Sequence, residues 1–183
     1  MCGGPSCTSS AIASAKRSAS KNAAAAKSLA DYLRGLRSRF DRWRFGAIDP
    51  AASLGKRGEQ AAAILLRRKG YRILAAGETD RGGEIDLIAL DRKTLGQPSI
   101  VFVEVKTQGT RLPGNPAERV DADKQQRLTR AALRYLKRHK LLEHRARFDV
   151  VAVWWTDAGA PEPERIEHYP NAFEATGEGQ FYS

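Results

Sequence analysis

The chain has 183 residues, a mass of 20.1 kDa and a formal net charge of +10. This excess of positive charge predicts an acidic partner. We expect nucleic acid, because the sequence carries neither a lipidation motif nor an apolar run long enough to span a membrane. The two cysteines, Cys2 and Cys7, cannot by themselves build a disulfide scaffold or a four-ligand zinc site, so we expect a reducing compartment, the cytoplasm.

Composition divides the chain into four regions. Residues 1–22 are poor in bulky apolar side chains and are predicted to be a disordered basic tail. Within 23–53, apolar residues at alternating spacings of three and four predict a basic amphipathic helix followed by a linker. This helix could pack on its own domain, on nucleic acid, on an anionic membrane or on a second copy of the chain in a homodimer. Residues 54–173 are the predicted folded domain, and 174–183 a flexible tail.

The folded domain is predicted to begin with a helix and three antiparallel strands. Ser53 is the expected N-cap of the helix. A short strand follows over 71–75, then a polar loop over 77–83. Two strands over 84–90 and 100–106 come next, and in both of them apolar residues alternate with charged ones. The loop between these two strands is rich in turn-forming residues, which favours a hairpin that brings the strands together.

A second helix and two more strands complete the predicted domain. A polar loop after the third strand is expected to hold substrate. With Asp121 or Asp123 as its cap, the next segment has an apolar stripe and a basic outer face, which predicts a helix covering one face of the sheet. An apolar strand over 147–155 and an edge strand over 165–169 follow. The basic side chains that would contact nucleic-acid phosphates, or else be solvated, are Arg81, Lys124, Arg127 and Arg130.

The two acidic strands carry the residues that indicate chemistry. Period two places Asp86 on one face of its strand, with Ile85 and Leu87 on the other. On the neighbouring strand Glu104 and Lys106 share a face, and antiparallel pairing would set Asp86 beside Glu104. Two such carboxylates repel unless a cation joins them, and Mg²⁺ is commonly held by one or two carboxylates with waters and substrate phosphate. The pattern predicts a metal-dependent nuclease in which Lys106 assists the attacking water or neutralises phosphate charge.

Each of these features also has a structural interpretation. A strand pair with one solvated face and a Glu104–Lys106 ion pair would give the same sequence pattern. Glu59, in the first helix, is on spacing alone a surface residue that pairs with Lys56 or Arg57.

A series of blocks between about Leu54 and Phe173 resembles the bacterial YraN family, within the PD-(D/E)xK nuclease-like superfamily. The blocks, in order, are GKRGEQAA, RGGEIDLIA, VFVEVKT, DKQQRLTRAALRYL, RFDVVAV and RIEHYPNAF. The resemblance implies a restriction-endonuclease-like α/β/α sandwich around a mixed sheet of four or more strands.

The resemblance also assigns a role to each matching residue. It implies that Asp86 and Glu104 are metal ligands and that Lys106 is the catalytic lysine. Glu59 matches a glutamate that some branches, such as archaeal Holliday-junction resolvases, place at the metal site on the first helix. The backbone carbonyl of Val105 would be a further ligand.

Two positions depart from the superfamily pattern. Ile85 stands where the motif has proline, which changes no ligand, and Gln108 stands where many family members carry arginine, which weakens the case for a phosphate contact there. The resemblance implies an endonuclease that depends on Mg²⁺ or Mn²⁺ and hydrolyses DNA, with branched or repair intermediates as substrates. The alternatives are a non-catalytic nucleic-acid-binding module of a DNA-processing complex and a structural partner acting through the helix over 23–45.

Overall fold

The computed structural model describes residues 29–35, 47–80, 83–92, 98–109 and 120–176. Residues 29–35 are helical and are called α1 here. The other helices are α2, Leu54–Arg68, and α3, Ala122–Arg138. The strands are β1, Arg72–Asp80; β2, Gly83–Asp91; β3, Ser99–Gln108; β4, Arg145–Trp154; and β5, Arg165–Phe173. The predicted tail over 1–22, Arg81 and residues 110–119 of the expected substrate loop lie outside the described residues.

The five strands form one mixed sheet in the order β1-β2-β3-β4-β5. Strands β3 and β4 are parallel, and every other neighbouring pair is antiparallel. Two parallel neighbours need a long connection, and α3 supplies it between β3 and β4. The predicted element order and the three antiparallel strands at its start are confirmed.

Helices α2 and α3 cover opposite faces of the sheet. On the α2 side, Leu66 packs with Leu87, Val103 and other apolar residues, here called the α2-side cluster. On the α3 side, Phe102 packs with Leu136 and others, the α3-side cluster. Alternate residues of β3 therefore enter opposite clusters, as period two predicts. The predicted α/β/α sandwich is confirmed.

The close packing of α2 on β3 depends on Gly58. A Cβ atom built on Gly58 would lie 1.8 Å from Oγ1 of Thr107, so only a glycine allows the helix to approach the strand this closely. Gly58 immediately precedes Glu59, and Thr107 immediately follows Lys106. This contact therefore brings the first half of α2 to the strand that carries the predicted catalytic lysine.

Three local features differ from the sequence-based expectations. Strand β1 continues to Asp80 through residues predicted as loop, and Gly77 (φ +60°) lets the strand pass through a conformation that other residues rarely adopt. Strand β5 continues to Phe173 instead of ending at 169. Ile85 packs in the α3-side cluster, not with Leu87, and it lies beyond the point where the register of β2 with β3 ends.

Helix α1 packs on its own domain. Leu29 is buried in the α3-side cluster, and the Tyr32 and Tyr135 hydroxyls are hydrogen-bonded. His139 completes this contact, with its ring centroid 4.9 Å from that of Tyr32 and 4.4 Å from that of Tyr135. For its described part, the predicted basic helix thus adopts the first of the four arrangements considered. No helix within the described ranges is both long and apolar enough to cross a membrane.

Candidate active site

Asp86 and Glu104 lie on neighbouring strands at the point where β2 and β3 separate. The antiparallel register ends at the pair Leu87–Val103, and one further step sets Asp86 opposite Glu104. Oδ2 of Asp86 accepts a hydrogen bond of 2.7 Å from the backbone N–H of Val105. Because β2 diverges from β3 here, its backbone offers no hydrogen-bond acceptor to the N–H of Val105. The Asp86 carboxylate accepts that hydrogen bond instead. The structure therefore brings the predicted acidic pair together.

The environment of Asp86 opposes its ionisation. Burial is the largest cause and, with the charge of Glu104, raises the pKa of Asp86 to about 7. The hydrogen bond from Val105 lowers this pKa, the charge of Glu59 raises it and that of Lys124 lowers it. Near neutral pH the ionised form of Asp86 therefore carries a desolvation cost, which a bound cation would reduce.

Glu104 is buried, with 4% of its side chain exposed, and contacts two lysines. Nζ of Lys106 lies 2.9 Å from Oε1, and Nζ of Lys124 lies 3.3 Å from Oε2. The second contact lacks hydrogen-bond geometry, so the enclosed Oε2 atom accepts no hydrogen bond in the described part of the chain. A buried carboxylate oxygen in this state is costly, and an additional cation would relieve the cost.

Glu59 stands at the edge of this site on α2. Nζ of Lys56 donates to Oε2 of Glu59 at 2.8 Å, so the simple helical pairing considered from the sequence is present. Glu59 is nonetheless close enough for its charge to raise the pKa of Asp86. Among the described residues, no three Asp, Glu, His or Cys side chains are grouped tightly enough to enclose a metal ion. The acidic centre is therefore the Asp86–Glu104 pair, with Glu59 beside it.

This pair fits a divalent cation that takes few ligands from the protein. Mg²⁺ typically binds one or two carboxylates and completes its octahedron with waters and substrate phosphate, so a three-carboxylate cage is not required. The unsatisfied Oε2 atom of Glu104 and the raised pKa of Asp86 both favour such an ion. The backbone carbonyl of Val105 and the carboxylate of Glu59 stay predicted ligands.

The predicted phosphate-binding residues of α3 divide into two groups. Lys124 is turned toward Glu104, whereas Arg127 and Arg130 are exposed on the outer face of the helix. The N-terminus of α3 is fixed by Asp121, whose side chain accepts a hydrogen bond of 2.7 Å from the backbone N–H of Lys124. This cap fixes the start of α3, so that Lys124 reaches Glu104 from the first turn of the helix.

A second buried ionic cluster lies on the α2 face of the sheet, and it was not predicted from the sequence. Arg147 contacts Asp91 at 3.0 Å and Asp149 at 2.9 Å, and its guanidinium also donates to the Tyr71 hydroxyl. His168 holds the other side of Asp149 at 2.8 Å. A signal was present, because Arg147 and Asp149 stand at alternate positions, directly before an apolar run in the same strand. Every carboxylate in this cluster is paired, so we interpret it as structural.

The mixed sheet between helices, with an acidic pair where two strands separate, defines an α/β protein of the restriction-endonuclease-like sandwich class. Residues 58–153 match the model of the Uncharacterised protein family UPF0102. The chain therefore belongs to UPF0102, the family that the sequence resemblance named as YraN.

Several relatives share most of their length with this chain. UPF0102 protein RB9115 of Rhodopirellula baltica is 60% identical over 147 residues, which cover 80% of this chain and 86% of the relative. UPF0102 protein GSU0650 of Geobacter sulfurreducens is 47% identical over 121 residues, with coverages of 66% and 88%. A UPF0102 protein of Trichlorobacter lovleyi is 43% identical over 122 residues, with coverages of 67% and 91%.

Proposed function

We propose that this protein is a Mg²⁺- or Mn²⁺-dependent nuclease that hydrolyses DNA phosphodiester bonds. The observation that carries the proposal is the placement of Asp86 beside Glu104, with Nζ of Lys106 2.9 Å from Glu104. Two adjacent carboxylates and a lysine, at the point where two strands of a sheet separate, are a suitable set of groups for attack by water on a phosphodiester. The net charge of +10 supports a polyanionic substrate.

Each residue of the site has a separate task in this proposal. Asp86 and Glu104 would hold the divalent cation, which when bound supplies a Lewis acid beside the scissile phosphate. Lys106, with 30% of its side chain exposed, can reach solvent and orient the attacking water or neutralise charge on the phosphate. Arg127 and Arg130 are exposed and would contact the DNA backbone without reading its sequence.

Cleavage of a panel of DNA substrates tests the proposal. Linear, flapped, four-way and single-stranded DNA are incubated with Mg²⁺ or Mn²⁺ and with wild-type protein, Asp86→Asn or Lys106→Met. Glu143→Gln, which removes an exposed carboxylate, is the matched control. We expect products with wild type and the control and none with the two site variants. Cleavage that persists in both site variants would contradict the proposal.

A non-catalytic nucleic-acid-binding module is the second candidate function. It is favoured by one observation, because Lys106 and Lys124 already balance the charge of Glu104. Such a module would bind DNA with a steep dependence on salt and would yield no products with either metal. Binding that is unchanged in Lys106→Met, together with the absence of cleavage by wild type, would favour this candidate over the nuclease.

A further inference from the structure

The two lysines that contact Glu104 are held very differently. Lys106 lies two residues along the same strand, at hydrogen-bonding distance from Oε1, and its backbone is fixed by the pairing of β3 with β4. Lys124 comes from the first turn of α3, and its Nζ is 3.3 Å from Oε2 without hydrogen-bond geometry. The two side chains are equally exposed, 30% for Lys106 and 29% for Lys124, so the difference between them lies in how each contacts Glu104. Lys124 is therefore the lysine that can leave Glu104.

The position of Lys124 on its helix also favours its release from Glu104. A lysine in the first turn of a helix lies at the positive end of the helix dipole, which is unfavourable for a cation. Asp121 and Asp123 surround that turn and reduce the cost, but Glu104 is the buried anion that the Nζ atom reaches. Within the described residues, Lys124 is held by its charge interactions with Glu104 and Asp86, so a phosphate could replace these carboxylates as its partner.

We propose that Lys124 is a displaceable cation that couples occupancy of the acidic pair to binding of the phosphate backbone. In the chain without a divalent ion, Lys124 balances Glu104. When a divalent cation takes over that carboxylate, the Lys124 ammonium is released at the site rim and binds a phosphate of the nucleic acid. This inference rests on the proposed nuclease function for the identity of the two ligands. Lys124 acts in it as a positioning residue, not a catalytic one.

The coupling has a consequence that a simple phosphate contact would not have. Because Lys124 competes with the divalent ion for Glu104, removing the lysine should strengthen metal binding. The metal is expected to increase DNA affinity, and the same substitution should make this increase smaller. The reason is that the coupling between two ligands is reciprocal. A lysine that only contacted DNA would leave metal affinity unchanged apart from long-range charge.

Titration of the full-length protein with Mn²⁺ by calorimetry, in the absence of DNA, is the first test. Lys124→Met is compared with Arg127→Met, which removes one positive charge from an exposed position one turn along the same helix. We expect Lys124→Met to bind Mn²⁺ about tenfold more tightly than wild type, and Arg127→Met to change the affinity less than about threefold. The inference would be overturned if the two substitutions changed Mn²⁺ affinity equally. It would also be overturned if neither wild type nor Lys124→Met bound Mn²⁺.

DNA binding provides the second readout. Affinity for a short labelled duplex with phosphorothioate linkages, which resist hydrolysis, is measured with and without Mn²⁺. We expect the metal-dependent gain in affinity to be smaller in Lys124→Met than in wild type. It should be unchanged in Lys137→Met, which removes an exposed positive charge from the last turn of the same helix. An unchanged gain in Lys124→Met would contradict the coupling. Lys124→Gln, which keeps a neutral polar side chain, repeats both tests if circular dichroism shows that the methionine variant is not folded.

The outcomes separate this inference from the nuclease itself. Stronger Mn²⁺ binding by Lys124→Met, with no cleavage by wild type, would support the displaceable lysine and reject the enzyme. Cleavage by wild type, with metal affinity unaffected by Lys124→Met, would support the enzyme and reject the displaceable lysine.

Discussion

Replacement of Asp86 by asparagine should stabilise the fold above neutral pH and leave it unchanged in acid. The pKa of Asp86 is about 7 in the folded chain, against an ordinary value of 3.8. Between these values the folded state binds more protons than the unfolded state, so wild-type stability falls as pH rises through this window. This difference in pKa corresponds to about 4 kcal/mol, reached above pH 7. An asparagine at this position cannot ionise, and its side-chain oxygen can still accept the hydrogen bond from Val105.

Urea unfolding at a series of pH values measures this difference. The free energy of unfolding of Asp86→Asn should exceed that of wild type by about 4 kcal/mol near pH 8, and the two should converge near pH 4. Glu143→Gln removes an exposed carboxylate and should follow wild type throughout. Parallel pH profiles for Asp86→Asn and wild type would refute the reasoning, because the carboxyl would then titrate alike in the folded and unfolded chains.

A divalent cation should reduce the difference in stability between wild type and Asp86→Asn at high pH. An ion bound by the folded state alone stabilises it in proportion to the logarithm of its concentration above the dissociation constant. Mn²⁺ should therefore raise the stability of wild type near pH 8 and recover part of the cost of the ionised Asp86. Asp86→Asn lacks one of the two carboxylates, so its stability should respond little. An equal response of both proteins would place the bound ion elsewhere.

Two further predictions concern packing and the second ionic cluster. Gly58→Ala should lower the free energy of unfolding by roughly 1 to 3 kcal/mol, because its Cβ would lie 1.8 Å from Thr107 Oγ1. Denaturation of the same substitution in a Thr107→Ala background should show a smaller loss, and an equal loss in both backgrounds would rule out this clash. Arg147→Met leaves two buried carboxylates without their cation and should cost roughly 3 to 5 kcal/mol by the same measurement. A loss no larger than that of the exposed control Arg130→Met would show that the cluster does not stabilise the fold.

The features that sequence predicted well are those fixed by local chemistry. Ser53 and Asp121 cap their helices through side-chain oxygens, as their positions before apolar periodic segments indicated. The alternation in β3 was sufficient to assign its two faces, since one-residue slips would bury charge and expose valine. Adjacency of Asp86 and Glu104 followed from the same alternation and a turn-rich loop.

The features that sequence did not predict depend on contacts between distant segments. Gly77 indicated a loop, yet strand pairing with β2 holds it in a left-handed conformation within β1. The partners of Arg147 come from β2, β4 and the residue before β1, which no local pattern relates. The sequence predicted that Lys124 contacts a phosphate. Its approach to Glu104 was not predicted, because that contact depends on where α3 packs relative to the sheet.

The two ionic clusters differ in how completely their buried carboxylates are paired, and this difference distinguishes a structural cluster from a functional one. Asp149 is completely buried and accepts hydrogen bonds from Arg147 and from the backbone N–H of Asn171, with His168 at 2.8 Å, so its cluster is closed. At the other cluster Asp86 retains a pKa near 7 and an enclosed oxygen of Glu104 lacks a hydrogen bond. Asp86 accepts a hydrogen bond from the backbone N–H of Val105, but a neutral polar side chain could do the same without the cost of burying a charge. The burial of these two carboxylates is explained if a cationic ligand binds them, which supports Asp86 and Glu104 as the functional centre of the chain.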